Sequence, residues 1–463
     1  MKTKKILVVG SGPSVFGFLN GVVSLENLDV TVIDNAKQTN LKNNLCKFKN
    51  EFNYGNRKTS SEENLISSDF GGFSNFWGGT YDNPSEKIIK LFDLQGVDIK
   101  PFLTQIDKII PRILISNNLD NEKNTFRIDG VISKKTFEEF SKNNIEIKES
   151  QIATSLNIEK NLDIEENCNF CNGSKLFCNE RSIWKSNYFI SKLIKENKIK
   201  YEKNTKLIRF EEVGGKVSCF VTTNNIEKRE VYDKLIIAAG PIGTSEIFLN
   251  SNIVSKVEIK TTDLYQVPFI KFFRTSKKMH SFSDAFAKTE ILKQETYQQF
   301  YFYTKSIFLL SKNSFKLLNF INLLPSFLLS CIGGLFVIFD SDISSKIVMT
   351  VNNNSIETSF IKNDSTSQKK VLKKLFFAFA KCKLFLILFF RNEYLYGTSY
   401  HNGAQFPISK TPFKNQSDNL GRLNNLKNVH IVDSSVLPDI NTGPGVKLIM
   451  ANSFRIGRLI SFE

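Results

Sequence analysis

Three groups of residues in this chain have types and spacings that could do chemistry. The first is "HNGAQFP" (401–407), which holds one of only three histidines in 463 residues. An imidazole titrates near neutral pH, so His401 could take or give a proton. The plainer role is a turn histidine making ordinary hydrogen bonds. The second group is "GSGP" (10–13) together with Asp34, which lies 22 residues after Gly12. Gly10 permits a tight turn, Gly12 lets the backbone approach a pyrophosphate, and a carboxylate at that distance can hold ribose hydroxyls. The third is Cys168, Cys171 and Cys178. Three thiolates could bind zinc or help hold an iron–sulfur cluster, but they are too few for a closed structural site. No histidine lies near them, so a reduced thiol cluster in a packed loop is favoured and no metal is expected.

The elements around these residues follow from the pattern of apolar residues. "KILVVG" (5–10) predicts a strand buried on both faces, "SGPSVFGFLNGVVSLEN" a turn opening a helix, and "DVTVIDN" (29–35) a second buried strand. That βαβ unit presents Gly10 and Gly12 at a helix N-terminus, where free N–H groups and the helix dipole favour phosphate. The third glycine of the usual fingerprint is replaced by Val15, with Gly17 two residues on. This departure predicts slightly looser packing of the helix. Residues 36–67 are polar and predict a surface excursion. The stretch 84–165 alternates charged helices with short strands. Residues 198–240 predict strand, strand, hairpin, strand and a further buried parallel strand. "KKVLKKLFFAFAKCKLFLILFF" (369–390) predicts a helix.

Charge and cysteine usage narrow the setting. Sixty-two Lys and Arg against 46 Asp and Glu give a net charge of +16. Such an excess favours polyanions, although a bias toward Lys, Asn, Ile and Phe can reflect base composition alone. No sequence signature of a nucleic-acid-binding module is present, and none is expected as a partner. Seven scattered cysteines do not make a disulfide framework. The first apolar run is too short for a secretory signal, and no apolar run reaches the length of a membrane span. A cytoplasmic protein is expected. Apolar stretches within 306–338 and 369–390 place Phe and Leu beside lysines. They suit a core whose lysines face water or, alternatively, a peripheral contact with anionic lipid at the inner membrane face.

One dinucleotide fingerprint does not decide between FAD and NAD. Four segments in order do. "GGFSNFWGG" (71–79), "KLIIAAGPIGTSEIFLNS" (234–251), "YHNGAQFP" (400–407) and "NLKNVHIVDSSVLPDINTGPGVKLIMANSFRIGRLI" (425–460) resemble motifs of the glucose–methanol–choline (GMC) oxidoreductases. The resemblance runs from residue 5 to 460, with the middle block similar only in position and size. It lies nearest the sugar- and polyol-oxidising, pyranose-oxidase-like branch. It implies that Gly10, Gly12 and Asp34 hold the ADP half of FAD and that Gly72, Ser74 and Asn75 lie near the isoalloxazine. Gly240 would close over the cofactor, and Asp433 would bind its ribityl or pyrophosphate region. Where similar enzymes bond a histidine covalently to the flavin, this chain has Phe76, which implies non-covalent FAD. His401 becomes the base that takes a hydroxyl proton while hydride leaves for flavin N5. The family's second His or Asn aligns with Gly443 or Pro444, and Asn441 stands close enough to substitute.

The expected fold is therefore α/β. A Rossmann-like FAD-binding domain is built from residues 1–261 and 396–463, and an α+β substrate domain with an antiparallel sheet (262–395) is inserted between them. The expected activity, as the resemblance implies, is FAD-dependent oxidation of a CH–OH group carried by a sugar or polyol, with an unidentified electron acceptor. The alternative is an FAD-binding protein without that activity, acting at a membrane surface or on a partner. His280 and His430 are read as structural.

Overall fold

The computed structural model describes residues 3–22, 25, 27–36, 67, 69–75, 77–115, 125–128, 134–154, 183–273, 285–301, 331–352, 355–362, 365–393, 401–423 and 425–460. Phe76, His280, the three clustered cysteines and nearly all of the polar excursion after residue 36 lie outside the described residues. The helices are α1 (Pro13–Gly21), α2 (Glu86–Leu94), α3 (Lys100–Ile109), α4 (Lys134–Lys142), α5 (Ser186–Lys195), α6 (Gly240–Asn250), α7 (Ser365–Lys381) and α8 (Val446–Leu459). Among the described residues no helix is long and apolar enough to cross a membrane.

The apolar run at the start of the chain becomes the middle strand of a five-stranded parallel sheet. The strands lie in the order Val429–Ile431, Lys234–Ile237, Lys4–Val9, Leu28–Ile33, Lys200–Glu202. Ile6, Leu7, Val8, Leu235, Ile236 and Ile237 are all essentially inaccessible. That burial on both faces explains why these strands read as continuous apolar runs. Because the strands are parallel, their carboxyl ends come out on one edge. Gly10, Asp34, Ala238–Gly240 and Asp433 follow four adjacent strands and so meet there.

Helix α1 packs along α8, and glycines set the distance. A Cβ on Gly17 would sit 2.1 Å from Ser453 Oγ and 2.4 Å from the Met450 carbonyl oxygen. One on Gly21 would sit 2.1 Å from the Phe454 carbonyl oxygen, and one on Gly457 would sit 2.5 Å from that of Phe18. Val15 is fully buried. The looser packing expected from the missing third glycine is therefore not found. Close approach has moved to Gly17, Gly21 and Gly457, and the partner is the C-terminal helix, which a local motif does not contain.

A second, antiparallel sheet holds Leu384–Leu386, Leu264–Lys271, Ile332–Phe339, Gln294–Tyr301, Ala285–Ile291 and Ile147–Glu149 in that order, with Asn392–Glu393 also pairing to Leu264–Lys271. Helix α7 covers one face with Val371, Leu372, Leu375 and Phe379, which join Tyr265, Val267, Phe300 and Val337 in one core. The helix expected over 369–390 starts earlier and stops at Lys381. Lys383 adopts φ +59° and turns the chain, after which the apolar run pairs as an edge strand. A further four-stranded sheet joins Ser355–Ile361, Lys346–Asn352, Lys256–Thr261 and Asn402–Gly403. Sheet membership thus crosses the sequence boundaries at 261 and 395. The 346–361 hairpin pairs with a strand on the N-terminal side and, through it, is linked to the segment carrying His401.

Candidate functional site

A cavity of about 270 Å³ opens at the carboxyl edge of the parallel sheet. Gly10, Gly12, Asp34, Gly72, Gly240, His401, Asp433 and Asn441 all line it. Residues separated by more than 400 positions are brought to one wall because strands from near both chain ends lie in one sheet.

At one end the cavity is built from backbone. Gly10 has φ +105°, donates its N–H to the Ile33 carbonyl at 2.8 Å, and has no room for a Cβ, which would lie 2.3 Å from the Ala238 carbonyl oxygen. Gly12 caps α1, with Pro13 supplying the fixed φ of the first turn. Its missing Cβ points into open space, as does that of Gly240 at the start of α6 (φ +72°). Two glycines with open space on the cavity wall form a cradle that side chains would fill. A third N-terminus, that of α8, reaches the wall through its cap Gly445 and Val446. Three helix N-termini aim partial positive charge and free N–H groups at one volume, which is a setting for anionic groups.

Asp34 follows Leu28–Ile33 on the wall beside this cradle. Its carboxylate accepts from Ser11 Oγ and, at 3.1 Å, from the Ala36 N–H. Burial pushes its pKa up to about 7, against which the Ser11 hydrogen bond acts. Ser11 Oγ also accepts from the Gly71 N–H at 2.8 Å, so one hydroxyl ties the first loop to the glycine-rich segment. Gly72 (φ +56°) lies against the Gly12 Cα, 3.3 Å from where its Cβ would be. Ser74 and Asn75 stand behind the wall and do not line it. Ser74 Oγ donates to the Gly71 carbonyl at 2.6 Å and accepts from the Ser186 N–H at 3.0 Å. Asn75 Nδ2 donates to the Phe70 carbonyl at 2.9 Å. Both residues shape the segment that carries Gly72.

The other end is built from side chains. Asp433 caps a 3₁₀ turn, accepting from the Ser435 N–H at 2.9 Å and from Thr244 Oγ1 at 2.6 Å. Burial raises its pKa, opposed by those bonds. His401 is partly buried on the same wall, and its carbonyl accepts from the Thr262 N–H at 3.2 Å. Burial lowers the imidazole pKa to about 4, so the ring is neutral at pH 7. Gly403 (φ +150°) explains the glycine of "HNG". A Cβ there would lie 2.4 Å from the Ser434 carbonyl oxygen, so only glycine lets the two segments touch. Ala404 N–H and Ser434 Oγ complete that seam, donating to the Ser434 and Asn402 carbonyls at 2.9 Å each.

Asn441 also lines the wall, but its amide already serves backbone. Oδ1 accepts from the Ser85 N–H at 3.0 Å and Nδ2 donates to the Pro444 carbonyl at 3.0 Å. It pins the turn before α8 to the start of α2. His430 is buried within its strand, with Nδ1 3.0 Å from the Leu420 carbonyl, as a structural histidine would be.

Several working residues carried no signal in the sequence. Gln405 Nε2 donates to the Pro241 carbonyl (2.9 Å), Ser435 Oγ (2.8 Å) and Ser245 Oγ (3.1 Å), which holds the His401 segment onto α6. Ser11, Ser186 and Thr244 are equally silent. Each acts on a partner far along the chain, and only the Asp34 distance could have drawn attention to Ser11. Just outside the cavity, Lys87 bridges Asp340, Asp342 and Asp439 at 2.8, 3.4 and 3.6 Å. Lys260 meets Asp439 at 2.9 Å. This knot ties the Ile440–Asn441 wall to the end of the Ile332–Phe339 strand.

No protein-family model matches the chain, and no curated protein matches it in sequence. Among solved structures it is similar to pyridoxine 4-oxidase from Mesorbium loti, with a TM-score of 0.61 over 98% of this chain and 99% of that one. The identity is 11%, so the likeness establishes a shared fold over the full length.

Proposed function

We propose that the chain is an FAD-dependent oxidoreductase of the glucose–methanol–choline type that oxidises a CH–OH group. The observation that carries this reading is the joining, in one cavity, of a glycine cradle under helix N-termini with a neutral histidine at the reaction end. The open Cβ space at Gly12 and Gly240 fits an adenine dinucleotide, and Asp34 fits its ribose. Asp433 would hold the middle of the cofactor. Phe76 stands where similar enzymes bond a histidine to the flavin, so FAD is proposed to bind non-covalently. The full-length likeness to an oxidase of pyridoxine supports the reading at the level of fold.

Bound FAD would supply the hydride acceptor. The remaining work belongs to the protein. His401 is neutral above about pH 4, so one ring nitrogen can accept the hydroxyl proton as the carbinol carbon is oxidised. The seam at Gly403 and the Gln405 bonds hold that ring in place, which conserves the orientation a proton transfer needs. Asn441 is proposed to act through the backbone turn it fixes. The helix N-termini that meet the cavity would stabilise negative charge on the bound cofactor.

The substrate carries a carbinol, either on a sugar or polyol, as the sequence resemblance implies, or on a hydroxymethyl ring such as that of pyridoxine. Anaerobic titration of the FAD-loaded protein with each class decides. Bleaching of the flavin absorbance by one class is expected. A protein that holds FAD but is bleached by neither would instead favour a flavoprotein without this activity. Failure to take up FAD at all would remove both readings.

A further inference from the structure

We propose, resting on the reading of the cavity as an FAD site, that Ser11 is a positioning residue: it couples the ribose end of the cavity to the glycine-rich segment Gly71–Asn75. Ser11 Oγ donates its proton to the Asp34 carboxylate and accepts from the Gly71 N–H at 2.8 Å. A hydroxyl has one proton to give and lone pairs to receive, so the two bonds run in one direction, from amide through hydroxyl to carboxylate. The Gly71 carbonyl is served by hydroxyls as well. It accepts from Ser74 Oγ at 2.6 Å and from Ser186 Oγ at 3.1 Å, and Ser186 Oγ also donates to the Ser11 carbonyl at 2.7 Å. Ser11, Ser74 and Ser186 are all buried.

The segment that Ser11 holds is a single 3₁₀ turn, Gly72–Asn75, entered through two left-handed glycines, Gly71 (φ +106°) and Gly72 (φ +56°). Its own bonds are local, from the Gly72 N–H to the Asp69 carbonyl at 2.7 Å and from Asn75 Nδ2 to the Phe70 carbonyl at 2.9 Å. Its placement against the first loop runs through the hydroxyls at Gly71. Gly72 and Phe73 line the cavity, so that placement shapes the wall. Asp34 stands at the far end of the relay. Burial raises its pKa to about 7, so ribose hydroxyls that donate to it favour the charged carboxylate. A charged acceptor draws the Ser11 proton more strongly, and a polarised hydroxyl accepts better from the Gly71 N–H. Filling the ribose end therefore tightens the tether on the turn. The chain's two tryptophans flank this relay. Trp77 follows Asn75 by two residues, and Trp184 precedes Ser186 by two. Trp77 Nε1 donates to the Trp184 carbonyl at 2.8 Å, and the rings stand edge-on at 6.2 Å. Neither ring lines the cavity, so a colourless ligand there reaches them through the intervening segments.

The test is tryptophan emission of the full-length apoprotein on addition of ADP, with ADP binding followed separately by calorimetry. ADP carries the ribose and has no isoalloxazine to quench the signal. The parent protein should change its emission when ADP saturates it. Ser11→Ala should lose that change while still binding ADP, with Kd raised by up to about tenfold, the span of one hydrogen bond. Ser186→Ala removes a tie between the same two loops but leaves the path to Asp34, so it should keep the response. Asp34→Asn keeps an acceptor without the charge, so its response should shrink, and it decides the matter where Ser11→Ala does not fold. A full response in Ser11→Ala, or in Asp34→Asn in its place, overturns the proposal. So does a response lost in Ser186→Ala with ADP still bound, since the hydroxyls would then only hold two loops together. ADP that binds the parent without changing its emission removes the coupling alone. ADP that does not bind removes the cofactor reading with it.

Discussion

The two ends of the cavity are built by different means. The cradle end centres on one short piece of chain, completed by Gly240 and the start of α8. Gly10, Gly12 and Asp34 come from one βαβ unit, and they act through backbone geometry and one carboxylate. The reaction end is assembled from segments around 401, 433 and 441, of which only Asp433 follows a strand of the parallel sheet, while the 401 segment is held by its pairing in the four-stranded sheet. The first end tolerates little change in shape and the second little change in chemistry. A cradle needs absences, such as a missing Cβ. A proton transfer needs one group in one protonation state.

The sharpest way to break this division is His401→Ala. Flavin reduction by a true substrate should slow by roughly 10²–10⁴-fold, the span expected for losing a general base, while FAD binding stays near that of the parent. Stopped-flow reduction at the parent rate would return His401 to a residue that only supports the strand beside it. Asp433→Ala should come next. It removes an acceptor on the cavity wall and frees Thr244 and Ser435, and FAD retention should weaken by about 1.5–3 kcal/mol. Unchanged affinity by equilibrium dialysis would show that the cofactor does not reach it.

A pair of glycine substitutions separates shape from packing. Gly17→Ala must push apart α1 and α8, so a stability loss of about 1–3 kcal/mol is expected in thermal or denaturant unfolding. Gly12→Ala meets nothing in the protein, so the apoprotein should melt as the parent does while FAD affinity falls. If both variants instead lose stability alike and keep FAD, the open space at Gly12 is not a cofactor cradle.

The titrating groups sharpen the same contrast with smaller effects. The acid limb of kcat/KM should fall near pH 4, where His401 protonates, and not near its ordinary value of 6.5. A limb at 6.5 would mean that a different group, or a solvated ring, does the work. For Asp34 the folded pKa is raised from 3.8 to about 7. The folded apoprotein therefore holds a proton that the unfolded chain has already released, and this group's contribution to stability declines as pH rises from about 4 to 7. Asp34→Asn should remove that decline, so the stability of the variant relative to the parent should rise across the interval. A constant difference in urea midpoints from pH 4 to 7 would place the carboxylate in water.

Much of the cradle could be read in advance for a physical reason. Apolar runs report burial, glycine reports a backbone need, and the spacing from Gly12 to Asp34 is a length of chain. The strands over 198–240 were readable because turn residues separate short apolar runs. Reading failed where the deciding contact was remote. The loss of a third fingerprint glycine predicted looser packing, because the α8 backbone that approaches Gly17 does not appear in a local motif. The apolar stretch to 390 looked helical throughout, because periodicity could not show that Leu384–Leu386 would find an open edge beside Leu264–Lys271.

His401 marks the boundary between these two kinds of knowledge. The sequence by itself determined that an imidazole would stand two residues before a glycine, that the first strand would be buried on both faces, and that 365–391 would carry cations without acids. Each is a property of residue type and near spacing. Only the tertiary structure decided that His401 shares a wall with Gly12, that its pKa falls through burial, that Asn441 spends its amide on Ser85 and Pro444, and that the lysines of α7 gather on one exposed side around Phe377. Those outcomes depend on which surfaces exclude water and which groups come within hydrogen-bond reach, and both are set by contacts between segments hundreds of residues apart.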